Sequence, residues 1–140
     1  MDINLLLLAC WLALGGTRPL ADADLVAIET GVAAWRAEVV EPLRQARRAL
    51  RSRGEIGAAT RADVRRAILK AELHAEKIAQ RQMIEAVVEQ GLLKPGPAAT
   101  ARATAEASLE AYRRSKGIAL DADFARAMDR LLDLALSADA

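Results

Sequence analysis

Aromatic residues are nearly missing from this sequence. One Phe, one Tyr and two Trp make up 3% of its 140 residues. Strands favour β-branched and aromatic residues in alternation, and no stretch alternates convincingly, so a β-sandwich has little to build on. Cysteine is confined to Cys10 and histidine to His74. A single cysteine excludes an intramolecular disulfide and a cysteine-based zinc site. Cys10 sits in an apolar run with no base in view, which reads as a small hydrophobe rather than a nucleophile. There is no glycine-rich phosphate loop and no repeat at a fixed period, so no cofactor is implied. The net charge of +1 gives the whole molecule no strong field of one sign.

What remains is 53% hydrophobic, dominated by Ala, Leu, Val and Ile. That is enough apolar material for one domain's core, and small aliphatic side chains suit closely packed helices. The expected fold is all-α, a bundle of five or six helices around a long central helix at about 61–90. It is read as one domain, 1–140, with a core over 1–93 and a C-terminal helical pair over 97–140. Charge is unevenly spread. Residues 44–66 hold eight arginines against Glu55 and Asp63, a local +6, which leaves −5 for the rest of the chain. The last twenty residues carry five aspartates against Arg126 and Arg130, a local −3.

The run Ile3–Leu14 looks like a signal peptide, and Leu7-Leu8-Ala9-Cys10 faintly resembles a lipoprotein cleavage box. Asp2 supplies negative charge where such a leader carries positive charge. The run is also well short of the roughly 20 residues that span a bilayer. The reading preferred here is a buried helix over 2–14, capped by Asp2 and stopped by Gly15-Gly16, in a cytoplasmic protein with no membrane partner.

A second helix starts near Asp22 or Asp24, either able to cap it. Leu25, Ile28, Val32, Trp35 and Val39 form its apolar stripe. Pro42 either kinks it or opens a new helix, 42–53, with Leu43, Ala46 and Leu50 inward and the arginines outward. The long helix, about 61–90, has Thr60 as its expected N-cap and Gly91 as its C-cap. It shows two apolar stripes, Val64, Ile68, Ala71, Ala75, Ile78 and Ala86 on one side and Leu69, Leu73, Ile84 and Val87 on the other. Two stripes predict a helix sandwiched between neighbours. Lys94-Pro95-Gly96-Pro97 reads as a turn or linker. A fifth helix spans about 98–115, with Ala101, Ala105, Leu109 and Tyr112 on one face, and ends at Gly117. Asp121 caps a sixth, 122–137, with Phe124, Met128, Leu131 and Ala135 aligned. Trp11 and Trp35 are assigned to the core.

Few residues could carry chemistry. Glu72 and Glu76 lie on one rail of the long helix. Paired carboxylates can bind metal or move protons, but helical di-iron sites use Glu-x-x-His repeats, and neither glutamate has a histidine three positions on. His74 is assigned to solvent. Lys70, Glu72 and Glu76 are therefore read as a candidate charge network with arginines of the preceding helix. Arg66, Lys70, Lys77 and Arg81 form a basic rail elsewhere on the same helix. Each rail repeats one sign, which predicts opposite charge beside it, and the acidic sixth helix is one candidate counterpart. Arg44, Arg47, Arg48 and Arg51 share a broad face that could contact phosphates or a partner. No aromatic interleaves with them, so base stacking is not indicated.

Several runs carry a resemblance: Asp2-Ile3-Asn4-Leu5-Leu6-Leu7-Leu8 with Trp11-Leu12, then Trp35-Arg36-Ala37-Glu38-Val39-Val40 with Pro42-Leu43-Arg44 and Arg47-Arg48, then Lys70-Ala71-Glu72-Leu73 with Ala75-Glu76. In this order and spacing the chain resembles a bacterial family of small helical proteins, the domain of unknown function 2390, over roughly residues 1–90. The family pattern implies a further helix upstream, opening with a Trp-Asp-Phe-like run that this sequence does not contain. The resemblance implies a helical fold and carries no activity, substrate or catalytic residue. The functional expectation is a non-catalytic helical interaction or scaffold module, with a protein partner or self-association. A nucleic-acid-associated protein using the 44–66 face is the alternative, and a small-molecule enzyme is a distant third.

Overall fold

The computed structural model describes residues 2–137; expectations attached to Met1 and to the last three residues lie outside that range. The fold is all-α. Its elements are α1 (Ile3–Leu14), α2 (Asp22–Trp35), a π-helical turn (Arg36–Val40), α3 (Glu41–Ala49), a 3-10 turn (Leu50–Ser52), α4 (Ala58–Glu89), α5 (Ala101–Ser115) and α6 (Ala122–Leu136). Among the described residues there is no strand, only an isolated antiparallel pairing of Thr17 with Pro95.

Local chemistry sets most of the helix ends. Asp2 caps α1, accepting from the N–H groups of Asn4 and Leu5. Thr100 and Asp121 do the same for α5 and α6. At α2 neither expected aspartate is a simple cap: the helix starts after Ala21, and the Asp24 carboxylate reaches back to the Ala21 N–H at 2.7 Å. That is one half of a capping box. α1, α4 and α5 end alike. Gly16, Gly91 and Gly117 have φ of 71°, 64° and 61°. Around each the next two N–H groups fold back onto the last turn, as in Leu92 to Val87 and Gly91 to Val88, a Schellman closure that favours glycine.

Two compact units divide the chain, Met1–Ile28 with Ile84–Ala140, and Glu29–Met83. In the first, α1 packs against α5 and α6, and α5 against α6. Its core includes Leu5, Leu6, Leu12, Leu25, Ile28, Tyr112 and Leu132. Polar pins fix it: the Ser108 hydroxyl accepts from Leu20 N–H at 2.9 Å and donates to the Thr104 carbonyl, and the Tyr112 hydroxyl accepts from Asp2 N–H at 2.8 Å. The expected turn or linker 94–97 is a docked loop. Gly96 N–H donates to the Gly16 carbonyl at 2.9 Å, with its Cα close to the Thr17–Arg18 backbone.

In the second unit, Val32, Val40, Ala75, Ala79 and Met83 are buried, and the Trp35 indole donates to the Ala75 carbonyl at 2.9 Å. The π-helical turn explains a shift in the α2 stripe. A π turn takes in one extra residue, so Val40 is buried where the 3.6-residue period expects Val39. Pro42 follows at the start of α3, where no intrahelical N–H is required of it.

Several burial expectations are corrected. Trp11 is 51% exposed and Trp35 only half-buried. α1 is apolar on every side, so its pattern has no period that could reveal which row, Ile3, Leu7, Trp11 and Leu14, faces outward. No α3 residue is buried, and Ala46, expected inward, is exposed. α4 starts at Ala58, ahead of Thr60, with Arg61 N–H bonded to the Gly57 carbonyl. Its buried row is Glu72, Ala75, Ala79, Met83 and Ala86. Of one expected stripe Leu69, Leu73 and Ile84 are exposed and only Val87 is buried; of the other, Val64, Ala71 and Ile78 are exposed.

Candidate interaction surface

The Glu29–Met83 unit brings the arginines of α3 onto the glutamates of α4. Glu72 and Glu76 are one helical turn apart, so both reach the same side. Arg47 grips Glu72 through two bonds, Nε to Oε2 at 2.6 Å and Nη2 to Oε1 at 3.1 Å. Arg44 bonds Glu76 and lies 3.6 Å from Glu72. Glu72 is only 7% exposed. The Arg47 hydrogen bonds hold its carboxyl below the usual range, aided by the charges of Arg47, Arg44 and Arg48 and opposed by burial. The same pairing raises Arg47. A charge-assisted, two-pronged pair of this kind orients as well as binds; here it orients α3 on α4.

The four α3 arginines therefore do not form one free face. Arg44 and Arg47 are committed to α4, Arg48 pairs with Glu41, and Arg51 stays exposed without an ion pair among the described residues. Lys70, grouped with Glu72 and Glu76 on sequence grounds, stands apart from them: it is exposed and makes no ion pair with a described residue. Lys77 and Arg81 share that condition, and Arg66 has only a 3.3 Å pair with Asp63 in which both side chains are exposed. The aspartates of α6 that could have answered a basic rail, Asp129 and Asp133, bond instead to Arg102 of α5 at 3.0 and 2.7 Å.

Beside the basic rail run Leu69 and Leu73, 42% and 55% exposed. At 3.6 residues per turn, Leu69, Leu73, Arg66, Lys77, Lys70 and Arg81 follow one another around roughly a third of the helix circumference. This apolar strip with a basic edge is the surface that sequence reasoning missed. Its two halves were visible as a stripe and a rail. The stripe was assigned to the interior because exposed leucines carry no mark of their own.

Elsewhere the chemistry is sparse. Among the described residues no group of three His, Cys, Asp or Glu side chains could hold a metal ion. Burial raises the pKa of the free Cys10 thiol, which disfavours the reactive thiolate. A shallow cavity of about 190 Å³ lies between α5 and α6, floored by Leu109, Leu120, Phe124, Met128 and Leu132. It is smaller than the ~300 Å³ at which small-molecule sites usually begin. Its rim carboxylates Glu106, Glu110 and Asp129 are held by Arg102 and Arg113. No helix among the described residues is long and apolar enough to cross a membrane.

These features define a class: a small all-α protein whose most distinctive surface is a helix face. A family model described as protein of unknown function (DUF2390) matches residues 1–83, and the chain belongs to that family. No curated protein and no solved structure matches it.

Proposed function

We propose that the protein is a non-catalytic helical interaction module acting in the cytoplasm. One observation carries this reading: the α4 face sets exposed leucines beside Lys70, Lys77 and Arg81, which have no counter-charge in the described structure. Like charges four residues apart, as in Arg66–Lys70 and Lys77–Arg81, cost a helix about 0.2–0.5 kcal/mol per pair. A partner that neutralises them offsets that cost. The cytoplasmic location rests on the apolar run 3–14 being packed into its unit by Leu5, Leu6 and Leu12.

A photo-crosslinking amino acid at position 73, with position 67 as control, tests this in cells that express the protein. A discrete protein adduct at 73 and none at 67 is the expected result, and its mass separates a second copy of the chain from a different partner. No adduct at 73 overturns the reading.

The nucleic-acid reading keeps support from Arg51, Arg53 and Arg65, which are exposed, and from the half-buried Arg61 beside them. With Arg44 and Arg47 taken by glutamates, it must rest on the turn joining α3 to α4 rather than on the face of α3. Salt-titrated anisotropy with a DNA and an RNA duplex tests it, each neutralised phosphate adding about −0.9 to the log–log salt slope. Unchanged binding by R51E/R61E/R65E sinks it.

A further inference from the structure

We infer that the α4 face between Arg66 and Arg81 is a docking site for an acidic amphipathic helix of a partner protein; the inference rests on the interaction-module reading and names its partner's chemistry. The face is about 22 Å long at 1.5 Å per residue. Its cations lie along one edge of an apolar strip, the arrangement by which paired helices use a leucine seam for contact and flanking charges for partner choice. Leu69 and Leu73, one turn apart, are the seam, and Arg66, Lys70, Lys77 and Arg81 are the edge. The edge is free to serve: Lys70, Lys77 and Arg81 make no ion pair among the described residues, and Glu72 and Glu76 are turned to Arg47 and Arg44. A partner helix with leucines facing the seam and glutamates facing the edge satisfies both halves at once.

Other polyanions fit one half only. A nucleic-acid duplex would meet the cations but set its phosphates against Leu69 and Leu73, and no aromatic lies on the face to stack a base. An anionic bilayer takes up a helix by its whole apolar side, and the larger apolar side of α4 is occupied by Ala75, Ala79 and Met83 in the unit's own core.

The test uses the full chain and a labelled peptide of about three heptads with leucines at the seam positions and glutamates at the flanking ones. A short DNA duplex and phosphatidylglycerol vesicles are parallel probes. The peptide is expected to bind, with affinity falling as salt rises. L69S/L73S and K70E/K77E/R81E, both on exposed positions, should each weaken binding at least tenfold while leaving the thermal transition in place. A peptide with lysines in place of the glutamates should bind K70E/K77E/R81E and not the parent, a charge-reversal rescue that a purely structural role would not produce. The inference is overturned if the peptide does not bind, if either variant binds it as the parent does, or if the duplex or vesicles bind more tightly than the peptide with no loss in L69S/L73S. An adduct at position 73 in cells without peptide binding would reject the acidic helix and leave the interaction module standing; no adduct would reject both.

Discussion

A buried hydroxyl that answers a backbone N–H from outside its own helix is worth more than its size suggests, because its loss strands that donor. Ser108 is buried in α5, accepting from Leu20 N–H and donating to the Thr104 carbonyl. Ser108→Ala leaves the Leu20 donor unpaired, so equilibrium denaturation should show a loss of about 1–3 kcal/mol. Nothing in the sequence announces this serine, since its partner Leu20 is 88 positions away. Glu72 is a contrasting case, legible as one of a pair of carboxylates but not in its burial. Its carboxyl is held below the unfolded value by Arg47, so the unfolded chain binds the proton more readily. The pair's stabilisation is thus complete above the unfolded value of about 4.3 and is lost as pH falls through the lower folded value. Glu72→Gln should flatten the acid limb of a stability–pH curve below about pH 4.3. An unchanged limb would show that the Arg47 pair does not couple to folding.

Helix existence was readable because most helices carry start or stop chemistry of their own. Asp2, Asp121, Gly91 and Gly117 act where the sequence places them. Interiors were less readable for definite reasons. α1 has no polar face, so Trp11 could not be told from Leu12. The extra residue of the π turn moved burial from Val39 to Val40. Lys94-Pro95-Gly96-Pro97 has the composition of a turn or linker, and nothing in it shows that Gly96 is docked against the Gly16–Arg18 backbone. That docking gives a sharp contrast between two glycines. A Cβ at position 96 would lie 2.4 Å from Arg18 N, backbone that cannot swing aside as a side chain can, whereas at position 54 it would meet nothing within 4 Å. Gly96→Ala should therefore cost about 1–3 kcal/mol, while Gly54→Ala should be neutral or stabilise by up to ~1 kcal/mol through the unfolded chain. Paired thermal melts that show equal shifts would contradict the docked loop.

Net charge hides how the charge is partitioned over the whole molecule. The Glu29–Met83 unit holds twelve Lys and Arg against seven Asp and Glu, a net +5, and the other unit holds eight against twelve, a net −4; together they restore the chain's +1. The sequence showed the asymmetry as an arginine run and an acidic tail. It could not show which arginines pair internally, because that depends on α3 lying against the Glu72–Glu76 side of α4. With Arg44 and Arg47 neutralised there, the outward positive field comes from the turn joining α3 to α4 and from the Arg66–Arg81 face. A locally charged surface governs adsorption when its field is not screened, and the screening length is about 8 Å at 0.15 M ionic strength. The near-neutral protein should accordingly be retained on a cation exchanger at low salt and released as salt rises. K70E/K77E/R81E changes the charge by −6 and should abolish retention. R114E/R126E/R130E makes the same change within the acidic unit and should keep most of it. Equal loss in both variants would mean that total charge alone sets the behaviour. Retention lost only in the first would locate the accessible positive field on the α4 face, where an acidic partner would have to meet it.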